Sequence, residues 1–505
     1  MVAGDPRDAL HFWFGAVNGG VWETRDAGRT WQPRFDGQPV GTIGALALAP
    51  SDPDVIYVGT GEADMRSDIA QGEGMFRSDD GGSTWRRIGL EDTQQIGKVL
   101  VDPRDAKHVY VAALGHPYGP NAQRGVFESR DAGASWKKVL GPDADTGAID
   151  LAFAPGDPAT IYAALWQTRR TPWSVYPPSN GPGSGLFKSS DGGAHWTKLE
   201  NGLPKHVGHI GIAVAPNDAQ RVYVVVDSEP NGGKDERDRL GGGVYRSDDA
   251  GATWKQVSSD NRTWQRGWYF GTLVVDPTNA DRVWALNTIV LRSEDGGATF
   301  VPERGDMTGD DFHDLWIDPK DTRRRIIGAD QGAIVTLNGG QTWSTWLNQP
   351  TAQLYHASTD DRFPYMVYGA QQDSGHRRLH GGRTRAPVQR DEAFQHLTVG
   401  HIVAADRFQS ANLCRCGGHR GNAFGQATQL AHVLHRTLAQ VGLRQLHLRL
   451  VAAEQRLQGG GAVRRTAQAG AQRRMARATG RFARRRAADQ AAVQRAVGVE
   501  LAGEH

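Results

Sequence analysis

Ser78-Asp79-Asp80-Gly81-Gly82-Ser83-Thr84-Trp85 decides the fold, because its eight-residue pattern, Ser/Thr-x-Asp-x-Gly-x-Thr-Trp, returns along the chain. Further copies stand at 24–31, 129–136, 189–196, 247–254, 293–300 and 336–343, with Phe300 replacing the last Trp in one of them. Successive copies start 54, 51, 60, 58, 46 and 43 residues apart, so a fixed unit is joined to loops of variable length. The pattern has hairpin-turn chemistry. Its Asp accepts N–H groups across a turn, its Gly takes a left-handed conformation, and its Thr-Trp begins the next strand with a large anchor. A residue repeated from unit to unit argues against an active site, so Asp26, Asp80, Asp131, Asp191, Asp249 and Asp295 read as structural.

Between these turns lies a second pattern, a β-rich run, an Asp-Pro or Pro-x-Asp turn, and another β-rich run. Examples are Ala45–Ala49 before Val55–Val58, and Val99–Val101 before Asp102-Pro103 and Val109–Val111. The turn recurs at Asp157-Pro158, Pro216-Asn217, Asp276-Pro277 and Asp318-Pro319. Each unit therefore reads as four short strands, A to D, with the eight-residue turn between C and D. Seven such units predict an all-β, seven-bladed β-propeller, whose radial repetition buries sheet faces and leaves only short edges. The first unit has strands B, C and D at 10–16, 20–24 and 30–35 but no evident strand A. Gln353 to Ser358 is therefore expected to supply it and to close a ring over residues 8–372.

The chain of 505 residues contains no run of about 18 apolar residues, so no transmembrane segment is expected. Its two cysteines, Cys414 and Cys416, exclude a disulfide scaffold. Residues 385–505 carry 19 Arg against 7 acidic residues, while residues 1–384 carry 39 Lys plus Arg against 49 acidic residues. No Lys follows Lys320, no Trp follows Trp346 and no Tyr follows Tyr368. The break divides the chain into a propeller at 1–375 and an Arg/Ala-rich tail at 376–505, mostly disordered or partly helical and not a native folded domain. A basic arm for nucleic acid or anionic surfaces is one reading of the tail. Its composition favours another, the product of a shifted reading frame in a GC-rich gene. Cys414-Arg415-Cys416 with His419 does not match zinc spacings, and His432 and His435 suit a solvated face, so no metal or other cofactor is expected.

The repeated turns resemble the Asp boxes of sialidases, sortilin-type receptors and family 74 glycoside hydrolases. The loops are similar to those of a bacterial group with sortilin-like N-terminal propellers, often labelled BNR-repeat or xyloglucanase-like glycosyl hydrolases. The segments that carry this are Gly59–Ala63, Ala113–Pro120, Ala164–Trp173, Asp314–Pro319 and Tyr368–Asp373. The resemblance covers about residues 4–375 and implies export of the complete protein, although this chain shows no signal peptide and its start reads as truncated.

In a meandering blade the A–B and C–D turns share one face, and the longer B–C and D–A loops share the other. Binding groups should therefore gather on that second face, around the channel. Two carboxylates flanking a sugar could cleave a glycosidic bond, which makes Glu62, Asp64, Asp311 and Asp330 the catalytic candidates. Arg169, Arg170, Trp173, His116, Tyr118 and Trp268 are the ligand-binding candidates. Arg169, Arg170 and Trp173 stand out as consecutive loop cations and an aromatic without an obvious packing role, whereas Trp166 reads as inter-blade packing. The resemblance to family 74 would place a catalytic Asp two residues before a Gly-Gly turn in the first blade, and Val17 occupies that position before Gly19-Gly20. Its other acid would lie in a second propeller that this chain lacks. The leading expectation is a sortilin-like propeller binding a peptide, protein or glycan, with no nucleic acid on the propeller. The alternatives are a glycoside hydrolase acting on xyloglucan or another β-glucan, and a propeller-type assembly factor. Oligomeric state is left open.

Overall fold

A computed structural model describes residues 1–380, apart from 67–68, 172–179, 230–236, 238, 306–309, 350, 364 and 373–374. Contacts divide the chain into two units, Met1–Gln389 and Arg390–His505, and every described residue belongs to the first. The expectations for the tail, including those for Cys414, Cys416, His419, His432 and His435, fall outside the described residues.

Seven antiparallel sheets form a ring of blades, six ordered A-B-C-D and the seventh A-B-C outward in chain order. The inner strands are Val2–Gly4, Ile43–Ala49, Ile96–Val101, Thr146–Ala154, Ile210–Val214, Thr272–Asp276 and Phe312–Ile317. Neighbouring blades cover both faces of each sheet, so the B strands are continuous apolar runs without alternation. Val222–Val226 is buried at all five positions. It pairs with Ile210–Val214 on one side and Gly243–Ser247 on the other.

The eight-residue turns join strands C and D as the spacing predicts. In the second, Asp80 Oδ1 accepts Ser78 Oγ and Thr84 N at 2.8 Å, and Oδ2 accepts Thr84 Oγ1 at 2.6 Å. Ser78 Oγ also accepts Gly82 N at 2.8 Å. These bonds close a turn whose two central residues, Gly81 and Gly82, have φ of 64° and 77°. Side-chain bonds from Thr84, Thr253 and Thr299 lead in lowering Asp80, Asp249 and Asp295 to about 2. The seventh turn carries Asn338 in place of Asp. Its Oδ1 accepts Thr342 N at 2.9 Å, and its Nδ2 donates to Thr342 Oγ1 at 2.8 Å. An amide thus closes the same turn. Asp80→Asn should therefore be nearly neutral, whereas Asp80→Ala, which removes three acceptor bonds, should cost about 1–2 kcal/mol. Urea unfolding followed by Trp fluorescence measures both, and equal losses would contradict a hydrogen-bonding role.

Blades are buttoned to one another by strand-B tyrosines. Tyr57 donates to Ala106 O, Tyr162 to Ala250 O and Tyr223 to Ala280 O, each at 2.8 Å and each in the following blade. The turn tryptophans Trp85 and Trp136 reach backward, donating to Arg34 O and Ile88 O at 2.6 Å. Trp166 is fully buried among blades four and five, as its strand context predicts.

The ring closes differently from the expectation. Val2–Gly4 supplies strand A of the first blade, pairing Val2 with Phe14 and Gly4 with Phe12. The segment expected there, 353–358, instead falls in an additional three-stranded sheet, Leu354–Thr359, Met366–Gln371 and Gly375–His380. The physical reason is the junction between blades seven and one. Val2 N donates to Asp314 Oδ2 at 2.8 Å, and Arg324 donates to the carbonyls of Asp5 and Asp8 at 2.6 Å. The Arg324 guanidinium pairs with Asp318 and lies over Phe12 and Trp316. A Cβ at Gly4 would sit 2.2 Å from the Trp316 ring, so the strand fits only with glycine there. Blade seven has three strands, and side chains finish its outer edge. Gln349 bonds both the N–H and the C=O of Ala333, and Ser344 Oγ accepts Val335 N at 2.9 Å. Arg324→Met would strand the buried Asp318 carboxylate and should cost about 3–5 kcal/mol. The exposed Arg323→Ala should stay within about 0.5 kcal/mol, with urea unfolding as the measurement.

Candidate functional site

The seven inner strands surround a channel with a cavity of about 950 Å³. Charges interrupt the apolar inner strands in the channel wall. Asp150 accepts Leu151 N and, from the next blade, Ile212 N, both at 2.8 Å. Lys98 stands 4.0 Å from Asp150. Burial opposes the Lys98 charge, but Asp150 and Asp314 outweigh it and raise its pKa. Burial raises Asp150 itself and pushes His209 down to about 4. His209 packs edge-on against Trp166 at 5.2 Å.

At the loop-face mouth a histidine ties two blades together. His313 Nδ1 is 2.9 Å from Asp64 Oδ2 of blade two, and Nε2 is 2.8 Å from Asp330 Oδ1 of blade seven. Phe270 and Tyr269 pack on the imidazole with centroids at 4.2 and 5.6 Å. Burial disfavours the imidazolium, yet the bonds from Asp330 and Asp64 prevail and raise His313 to about 10. Burial also carries the Tyr269 hydroxyl well above its ordinary value, with Asp330 and Asp64 adding to it. The His313 pKa is higher folded than unfolded, so the tie contributes fully below about pH 6.5 and is lost as pH rises through about 10. An NMR titration of the His313 ring should therefore show no midpoint below about pH 9. A midpoint near 6.5 would mean that the ring is not held as a cation.

The sequence candidates divide among several surroundings. Asp64 and Asp330 meet on His313. Glu62 is buried, accepts Ala70 N at 3.0 Å and faces Arg66 at 3.8 Å. Asp311 is buried with φ of 43°, lies 3.4 Å from Arg266, and has a pKa raised mainly by burial. Val17 lies on the channel lining, so no carboxylate stands where the resemblance would place one. Arg169 and Arg170 have intramolecular roles that the sequence reading did not foresee. Arg169 pairs with Asp145, and Arg170 donates to Arg66 O and Thr171 O at 3.0 Å. Tyr118 is exposed, His116 is half-buried, and Trp268 stacks on Tyr269 at 5.6 Å. Trp173 lies outside the described residues. Among the described residues no group of three or more His, Cys, Asp or Glu could hold a metal ion, and no helix is long and apolar enough to cross a membrane.

Lys98, Asp150, His209 and Arg66 escaped the sequence reading. For two of these a signal existed, because Lys98 and Asp150 interrupt the apolar runs of strand A in Ile96–Val101 and Thr146–Ala154.

Comparison with known proteins agrees with this architecture. The family model described as sortilin, neurotensin receptor 3, matches residues 73–240. The propeller resembles those of sortilin-type receptors and xyloglucanases. A xyloglucanase of a Paenibacillus species is 26% identical over 316 residues, 56% of this chain and 29% of that enzyme. The oligoxyloglucan-reducing end-specific xyloglucanase of Emericella nidulans is 26% identical over 253 residues, 45% of this chain and 28% of its own length. The propeller thus spans about a third of the length of these relatives. Two solved structures are also similar, both at low overall superposition. An ancestral GH74 enzyme has a TM-score of 0.43 at 16% identity, covering 74% of this chain and 58% of its own. YCF48 bound to D1 peptide has a TM-score of 0.42 at 17% identity, covering 65% and 90%.

Proposed function

We propose that the propeller, residues 1–375, is a binding module that takes a peptide, a protein segment or a glycan on its loop face. The observation that carries this reading is the engagement of the candidate acids. Asp64 and Asp330 share one imidazolium, and Glu62 is spent on Ala70 N and Arg66. Glycoside hydrolysis needs one carboxyl that gives up a proton and a second that attacks or activates water. Two carboxylates clamped on a cation suit a rigid rim better than that exchange. Trp268, backed by the buried Tyr269, and the exposed Tyr118 supply aromatic surface of the kind that ligands stack on.

One observation favours the hydrolase reading. Asp311 Oδ1 is buried without a hydrogen-bond partner, and the carboxyl is shifted toward the protonated form in a left-handed backbone position. The two readings separate in one experiment on the full chain. Immobilised 12-residue peptides and xyloglucan are probed for retention, and xyloglucan is assayed in parallel for released reducing ends. The binding reading predicts retention that Trp268→Ala and Tyr118→Ala weaken about tenfold or more, with no reducing ends. Turnover abolished by Asp311→Asn would overturn it.

A further inference from the structure

Arg124 is a fully buried cation with an unusual set of partners. Its Nη1 donates to Asp145 O at 2.8 Å and Thr168 O at 3.0 Å, and its Nη2 to His116 O at 2.9 Å and Gly119 O at 3.3 Å. Among the described residues no carboxylate pairs with it, so burial lowers its pKa to about 10, with Arg169 adding to the fall. The four carbonyls belong to three loops of the binding face. They are the B–C loop of blade three, the connection between blades three and four, and the B–C loop of blade four. Arg170 N donates to Pro117 O at 2.8 Å, which links the first loop to the third. The side chains that these loops display include four of the ligand-binding candidates, His116, Tyr118, Arg169 and Arg170.

A buried guanidinium without a counterion is costly to keep unless its geometry is used. Arginine's planar fork can address four carbonyls in one plane, which an ammonium on a flexible stem cannot. The surroundings are shaped to it. A Cβ on Gly115, which has φ of 71°, would fall 2.5 Å from Arg124 Cγ, so glycine precedes His116 where the Arg124 stem passes. Asp145, whose carbonyl Arg124 holds, uses its carboxylate to pair with Arg169. One residue thereby fixes the carbonyl side of three loops whose opposite side faces solvent.

We propose that Arg124 is the positioning residue of the binding face, setting the spacing of His116, Tyr118, Arg169 and Arg170 from beneath while touching no ligand. This rests on the reading that the face binds, but its test does not. Amide hydrogen exchange is measured on the full chain and on Arg124→Ala. Exchange should quicken at least tenfold in 115–121, 144–146 and 168–171, while the inner strands of the other blades keep their protection. Methylguanidinium, added well below denaturing concentration, should restore loop protection, and methylammonium should not. Uniform loss of protection around the ring, or rescue by both cations alike, would reduce Arg124 to packing and overturn the proposal, as would unchanged loops. Should Arg124→Ala fail to fold, Arg124→Lys keeps the charge and stem, and it should still release the same loops. The peptide and xyloglucan probes are then repeated with the variant. Retention unaltered despite loosened loops overturns the positioning role, whereas retention absent already in the parent chain refutes the binding reading and leaves the exchange result to judge Arg124.

Discussion

A ring of sheets has to end where it began, and everything else in this propeller depends on how the seventh blade meets the first. Six junctions can be made by one local recipe, because consecutive blades are adjacent in sequence. The seventh joins residues more than 300 positions apart and must be stable enough to offset the entropy of closing that loop. It carries polar chemistry, part of which recurs at the junction of blades four and five, where Asp150 takes the Ile212 N–H. Asp314 takes a backbone N–H from Val2, and Arg324 reaches two carbonyls of the first blade while its charge is held by Asp318. The apolar layer around it, Val2, Phe12 and Phe14 against Ile326 and Val335, then packs as at any other junction.

That junction also marks where sequence reading stopped being sufficient. The repeated turns announced the number of blades and their order, because each is a local device whose partners lie within four residues. Ring closure has no local signature. Residues 353–358 follow the last repeated turn and were the natural choice for the missing inner strand, whereas Val2–Gly4 is too short to be seen as one. What distinguishes them is long-range fit: the indole of Trp316 against Gly4, and the carbonyls of Asp5 and Asp8 within reach of Arg324. The same limit hid the substitute for strand D in blade seven, where the Gln349 carboxamide imitates a strand's donor and acceptor.

The loop face was legible as a location but not as a set of partners. Chain order alone placed Asp64, Asp311 and Asp330 on one side of the disc. It could not reveal that Asp64 meets a histidine 249 residues away, or that this histidine also holds Asp330. Arg169 and Arg170 invited a ligand-binding reading because they stand together in a long loop. Their partners, Asp145 and the Arg66 carbonyl, come from separate loops that only the ring brings near.

In a symmetric scaffold, departure from the repeat tells more than chemistry alone. Two buried histidines of this protein sit between carboxylates in a manner that, in isolation, would suggest catalysis. His11 lies between Asp5 and Glu23, and His108 between Asp102 and Glu128. They occupy equivalent positions in blades one and three, immediately before strand B, on the face that carries the short regular connections. A group that recurs at equivalent positions is maintained by what recurs with it, the A–B turn that it braces. His313 and Arg124 have no counterpart of that kind among the described residues. One joins blades two and seven over the channel, and the other gathers three loops around a charge without a counterion. Symmetry supplies no reason for either. Each is explained by the loop face it organises, and that face is where the chain has spent its irregularity.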